Sequence, residues 1–229
     1  MNKNIKVLVL LLLVVAGLSS CKGTGDVVPV SKGTSINVVN ADTSALNFYQ
    51  NGTRLDNVSV IAPGSQTGYF NILLTLPLST MQVYQFKKAG ASDYLINNLN
   101  LNLDISKSYS IFVAGETADK VFITTDVGYV LPASQAAVRF INASPGTSNF
   151  TVTFRDSLAF SNRAFKSATG FANIGKGTAA AKVYLAGSNT PTINLPVTLL
   201  PGKFYTLFTK GVPGGTGQNK LSAILVNNN

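Results

Sequence analysis

The sequence of 229 residues predicts an all-β protein: two tandem antiparallel β-sandwich domains that follow an export signal. Three observations carry that expectation. Apolar residues alternate or come in short runs bounded by Gly, Pro, Asn and Ser, as in Ile36-Asn37-Val38, Gln82-Val83-Tyr84-Gln85-Phe86 and Tyr109-Ser110-Ile111-Phe112-Val113, which is the pattern of strands. Beyond the first twenty residues no stretch sustains an apolar helical period for ten residues. The third observation is that the chain repeats itself.

The first twenty residues carry Lys3 and Lys6, then an apolar run from Val7 to Leu18, then Ser19-Ser20-Cys21. As a helix this run would span about 18 Å against roughly 30 Å of bilayer hydrocarbon, so a cleaved signal is expected rather than a membrane span. Leu18-Ser19-Ser20-Cys21 resembles the lipobox of bacterial lipoproteins, and the chain's single Cys stands at the position that motif requires. The resemblance implies cleavage between Ser20 and Cys21 and acyl chains, palmitate among them, on Cys21. Several acyl chains at one terminus hold a protein on a membrane essentially permanently. Residues 22–34 are rich in Gly, Pro and polar side chains and read as a tether. Lys22 stands where inner-membrane retention would place Asp, which favours the outer membrane and leaves its periplasmic and surface faces open.

At an offset of 102, Asn40-Ala41 aligns with Asn142-Ala143, Asn47-Phe48 with Asn149-Phe150, and Gly68 to Ile72 with Gly170 to Ile174. With successive shortenings, Val83-Tyr84 meets Val183-Tyr184, and Lys107 to Phe112 meets Lys203 to Phe208. Two copies of one domain follow, expected at 35–127 and 135–229 with a linker at 128–134. Asn51-Gly52, between Phe48-Tyr49-Gln50 and Thr53-Arg54-Leu55, signals a two-residue hairpin because both positions tolerate positive φ. Some seven short strands per copy imply a sandwich.

Leu200-Pro201-Gly202-Lys203-Phe204-Tyr205 looks like the tyrosine corner of immunoglobulin-type and fibronectin-type sandwiches, with Asp104 to Tyr109 as its counterpart, so Tyr109 and Tyr205 read as Ig-like core anchors. Val138-Arg139-Phe140-Ile141-Asn142-Ala143-Ser144-Pro145, together with Pro201-Gly202-Lys203-Phe204-Tyr205-Thr206-Leu207-Phe208, is similar to the bacterial family called domain of unknown function 4397, whose members are often envelope lipoproteins of the Bacteroidota. The first copy departs from it, with Asp42-Thr43 for Ser-Pro and no Pro-Gly before Lys107. The resemblance implies an Ig-like sandwich and brings no activity or catalytic residues with it.

Chemistry is scarce. Without His there is no Ser/His/Asp triad, Cys/His dyad or imidazole metal ligand. The acids Asp42, Asp56, Asp104, Glu116, Asp119 and Asp126 face Ser144, Leu158, Leu200, Val212, Asn219 and Val226 in the second copy, so no duplicated acid site is expected. Glu116, Asp119 and Asp126 match no calcium-loop spacing. Gly170 to Lys176 spells a phosphate-loop pattern until Gly177 replaces its Ser or Thr, but no helix pattern follows, and Gly68 and Gly170 read as turn positions. Neither a cofactor nor a metal is expected, and the chain is not read as an enzyme.

Charge is uneven: residues 35–134 carry five basic and seven acidic side chains, residues 135–229 nine and one. Arg139, Arg155, Arg163 and Lys166 are therefore candidate contacts for an acidic glycan or lipopolysaccharide, and Tyr49 is the candidate aromatic platform, since Phe48 and Gln50 point away from it along the strand. Asp156-Ser157-Leu158 resembles a short O-glycosylation acceptor of Bacteroidota exported proteins, with Ser157 as its hydroxyl. A specific nucleic-acid partner is not expected. The function expected is a binding or adhesion module for envelope or extracellular polymers; the alternative is a structural accessory subunit joined to an envelope protein assembly.

Overall fold

The computed structural model describes residues 32–56, 58–74, 82–146 and 148–228. The expected signal peptide, Ser20, Cys21 and most of the tether lie outside the described residues. Ser31–Asn229 forms one compact unit. Its first half holds β1 (Lys32–Asn40), β2 (Leu46–Gln50), β3 (Thr53–Arg54), β4 (Gln66–Leu74), β5 (Tyr84–Lys88), β6 (Ile96–Leu99), β7 (Ser108–Val113) and β8 (Val121–Thr125). The second holds β9 (Gln135–Asn142), β10 (Phe150–Phe154), β11 (Leu158–Arg163), β12 (Ala172–Gly175), β13 (Gly177–Leu185), β14 (Ile193–Leu199), β15 (Phe204–Lys210) and β16 (Ser222–Asn227). Sheets β4-β1-β7-β8 and β3-β2-β5-β6 face each other across one core, and β12-β9-β15-β16 and β11-β10-β13-β14 across another. The two halves have the same topology, strand for strand. The sheets are antiparallel as expected except for one pairing in each half, where β1 pairs with β7 and β9 with β15 in parallel. The first strand of each half joins the last hairpin after the chain has crossed to the other sheet and back.

Local chemistry explains the repeated corners. Tyr109 Oη accepts the Asp104 backbone N–H and Tyr205 Oη that of Leu200, both at 3.0 Å, so each ring is buried while its hydroxyl satisfies a backbone donor at the sheet edge. Gly202 turns this corner at φ 72°, and Ser106 at φ 62° does the same work where the first copy lacks Pro-Gly. Asn40 and Asn142 also act alike: each accepts the backbone N–H of the residue two further on and donates to a backbone carbonyl twenty-one residues on, that of Ile61 or Arg163. Gly68 (φ 73°) sits at a bulge in β4 opposite Val38, not in a turn, and the Thr67 hydroxyl accepts the orphaned Val38 N–H; Thr169 does so for Phe140. The phosphate-loop look-alike is β12 running directly into β13.

One alignment shifts by a residue. Phe48 pairs with Phe86, and its equivalent Phe150 with Leu185, so Tyr84 corresponds to Val183 rather than Tyr184. Tyr84 and Val183 are both buried, whereas Tyr184 points outward; a single-residue slip exchanges the faces of a strand.

β1, β7, β9 and β15 are buried on both faces. Ile36, Val38, Tyr109, Ile111 and Val113 point into the first core, while Val39, Ala41, Phe112 and Ala114 point the other way, against Ile141, Ala143, Phe208 and Val226 of the second half. Phe112 stacks on Phe122 at 5.3 Å and meets Phe208 edge-on at 5.9 Å, and Phe165 closes the cluster on Phe122. This seam is a third core, which joins the sandwiches back to back. Each large seam side chain it removes from water contributes about 1.5–3 kcal/mol.

Candidate binding surfaces

The outward face of β3-β2-β5-β6 carries the aromatic residue that the sequence singled out. Phe48 turns inward and is fully buried, which sends its neighbours Asn47 and Tyr49 to the outer side. The register sets Asn47 beside Lys87 and Tyr49 between Gln85 and Arg54. Tyr94, just before β6, meets Tyr49 edge-on at 5.7 Å, and the Lys87 ammonium lies 5.3 Å from the Tyr49 ring centroid and 4.4 Å from that of Tyr94. Lys87 Nζ also donates to the Ser92 carbonyl at 2.7 Å, which fixes it over both rings. Gln85 is locked in turn: its amide donates to Asn97 Oδ1 at 2.9 Å and its oxygen accepts the Gly52 N–H at 2.8 Å. Asn47 is 8% exposed, and its Oδ1 has no hydrogen-bond partner among the described residues. Two rings, a fixed ammonium and a row of amides thus share one face. The second sandwich has Thr151 and Ala186 at the positions of Tyr49 and Lys87 and does not repeat it.

Arg139 lies elsewhere. It is 2% exposed, deep in the seam, and so does not join a surface patch with Arg155 and Arg163. Its Nη2 approaches Asp126 Oδ1 to 2.6 Å, off the line of an N–H bond, so the attraction is chiefly between charges. Its Nε donates to Thr206 Oγ1 at 2.7 Å and its guanidinium lies 4.6 Å from the Phe171 ring centroid. Asp126 is the hub: Oδ2 accepts from Tyr69 and Ser110, both at 2.6 Å, and Oδ1 from Thr124 at 3.2 Å. Thr206 donates to Asn228 Oδ1 at 2.7 Å, and Asn228 Nδ2 donates to Tyr69 Oη at 3.2 Å, which closes the ring of contacts. Burial, with the Asp126 charge beside it, pushes the Tyr69 phenol up to about 12. Beside this network Tyr69, Ser108, Asp126, Phe171, Phe204 and Asn228 line a cleft of about 240 Å³. The register makes Asn228, not Val226, the equivalent of Asp126, so the repeat keeps the position and drops the charge.

The far end of the seam holds Asp42 and Lys210, 5% and 4% exposed. Burial lowers the Lys210 pKa and Asp42 partly restores it; Lys210 Nζ donates to the Gln218 carbonyl at 2.8 Å. The remaining predicted residues are scattered. Arg155 is in the turn after β10, whereas Arg163 pairs with Phe150 at that strand's other end, followed by exposed Lys166. These ends lie roughly 14 Å apart. Ser157 is exposed in the hairpin turn. Glu116 pairs with Lys88 at 2.6 Å, and it and Asp119 precede β8 while Asp126 follows it. Among the described residues, no three Asp, Glu, Cys or His side chains gather into a metal site.

A family model described as "Domain of unknown function (DUF4397)" matches residues 34–153 and 136–229. The chain belongs to this family. The second DUF4397 match coincides with β9–β16, and the first runs from β1 across the joint into β10. No curated protein matches. Among solved structures, the C-terminal domain of AlgF from P. aeruginosa is 18% identical, with 42% of this chain and 97% of that chain covered, at a TM-score of 0.27. CBMbc (family CBM26) from Eubacterium rectale Amy13K, solved with maltoheptaose, is 13% identical, with 83% and 95% covered, at a TM-score of 0.23. The structural overlap is slight in both.

Proposed function

We propose that this DUF4397 protein is a non-enzymatic binding or adhesion module, held by lipid on Cys21 at the outer membrane, that takes envelope or extracellular polysaccharide on the outer face of its first sandwich. The observation that carries this reading is the Tyr49–Lys87–Tyr94 cluster with Gln85, Asn97 and Asn47 beside it. Sugar rings present apolar C–H faces bordered by hydroxyls, and this face offers aromatic surface bordered by amide donors and acceptors. Lys87 at its centre favours an acidic polymer. The anchor reading rests on Leu18-Ser19-Ser20-Cys21.

Electrophoresis of the native protein through gels containing a neutral or a uronate-rich soluble polysaccharide tests the binding. The wild-type chain should be retarded, more by the acidic polymer, and the difference should shrink as salt rises. Tyr94→Ala should lose the retardation by the neutral polymer and be retarded less than wild type by the acidic one. Equal mobility of both proteins in every gel would count against the proposal.

A further inference from the structure

One end of the double sandwich carries exposed apolar side chains for which neither the cores nor the proposed glycan face has a use. Val130 is 96% exposed, Val127 65%, Leu200 54% and Tyr129 44%. Strand register places them together. β1 enters here beside the start of β7, and the Asp126 N–H donates to the Ser108 carbonyl, so the chain leaves β8 at the same end. In the second half the 200–203 turn, the start of β9 and the β12–β13 junction meet through Gly202 N–H to Gln135 O, Ala137 N–H to Lys203 O and Lys176 N–H to Ser134 O. Asp126 against Arg139, and Tyr69 against Asn228, bring these two ends side by side. Tyr129 is held in place, its hydroxyl donating to Asn173 Oδ1 at 2.6 Å and its ring edge-on to Phe204 at 5.1 Å.

The charge at this end is one-sided. Arg155 Nη2 donates to the Lys176 carbonyl, which brings Arg155, Lys176 and Lys203 to this end, and none of the three pairs with a carboxylate among the described residues. The acids nearby are already engaged: Asp104 by Lys107, Asp156 by Lys182 and Asp126 by Arg139. Lys32, the first residue of β1, follows Cys21 by eleven positions, a contour of no more than about 40 Å.

We infer that this end is a membrane-contacting surface: Val127, Tyr129, Val130 and Leu200 seat on the anionic leaflet that holds the Cys21 acyl chains, with Arg155, Lys176 and Lys203 over its phosphates. The inference rests on the anchor reading above. Exposed aliphatic residues, a Tyr at headgroup depth and unpaired basic side chains are what an interfacial contact needs, and the tether length keeps this end within reach of the bilayer. The glycan face, on an outer sheet of the first sandwich, is left free by this contact.

The chain has no Trp, so one Trp reports one position. The full lipoprotein carrying Val130→Trp is reconstituted into vesicles of phosphatidylethanolamine and phosphatidylglycerol with brominated acyl chains. Val60→Trp, beside Ile61 at the opposite end, is the control. Trp at 130 should be blue-shifted and lose most of its emission to bromine, Trp at 60 should not, and adding Lys176→Glu and Lys203→Glu should relieve the quenching. Unquenched Trp at 130 on a lipidated, vesicle-bound chain would overturn the inference and leave the anchor reading standing. A chain without acyl mass on Cys21 that stays in the soluble fraction would overturn both.

Discussion

Replacing Asp126 with Ala deprives a buried guanidinium of its counter-charge, and the cost can be worked from the surroundings. The side chains of Arg139 and Asp126 are 3% and 6% exposed, so solvent screens their 2.6 Å contact only weakly. Without Asp126, Arg139 keeps Thr206 Oγ1 and the face of Phe171, neither of which carries a charge. An uncompensated buried charge of this kind costs about 3–5 kcal/mol. The opposite deletion, Arg139→Met, is milder, because Asp126 still accepts from Tyr69, Ser110 and Thr124 and the Met stem refills the seam. About 2 kcal/mol is expected there. The double variant Asp126→Ala/Arg139→Met should cost about 1–3 kcal/mol less than the sum of the singles, since no uncompensated charge is left in the seam, although the Tyr69, Ser110 and Thr124 hydroxyls have lost their acceptor. Equilibrium urea unfolding followed by circular dichroism reads all three. A loss below about 1 kcal/mol for Asp126→Ala would place the pair among surface ion pairs, and a double variant equal to the sum of the singles would mean that the two charges do not interact.

Other consequences can be checked on the same protein. Tyr109→Phe and Tyr205→Phe should each cost about 1–3 kcal/mol in urea unfolding, because each leaves a backbone N–H without its acceptor, and a loss within error would remove the corner's structural role. Burial raises both Tyr69 and Tyr84 to about 12, so the folded state holds protons that the unfolded state releases from about pH 10. Stability should therefore be intact below pH 10 and fall as pH rises from 10 to 12, by on the order of 2 kcal/mol per tyrosine; a flat urea midpoint over that window would contradict it. Phe208→Ala should cost about 3–5 kcal/mol by emptying the seam beside Phe112, and unchanged stability would show that the seam is not packed in solution.

Much of the fold was legible because the repeat preserves the residues that make its corners. Asn40 and Asn142, Tyr109 and Tyr205, and Thr67 and Thr169 stand at matched positions and make matched bonds. The seam was not legible from alternation, because β1, β7, β9 and β15 bury both faces. Its trace in the sequence is a departure from alternation: Val38-Val39 and Ile111-Phe112-Val113-Ala114 are continuous apolar runs, as strands covered on two sides require. Arg139 illustrates the difficulty most sharply. In sequence it is one cation among nine, and only the seam reveals its counter-charge, since Asp126 sits in the other copy and the equivalent of Asp126 is Asn228. Tyr49 was placed outward by the inward pull of Phe48, but its companions were not: Lys87 and Tyr94 reach it only across the β2–β5 register and the turn before β6.

Amine labelling of the native protein, read lysine by lysine in the presence and absence of a uronate-rich polysaccharide, tests the glycan face most directly. Lys87 lies over two rings on that face, and Lys203 lies at the other candidate surface. The account predicts that the polymer slows labelling of Lys87 and leaves Lys203 unchanged. Undiminished labelling of Lys87 under conditions in which the polymer is bound would contradict it.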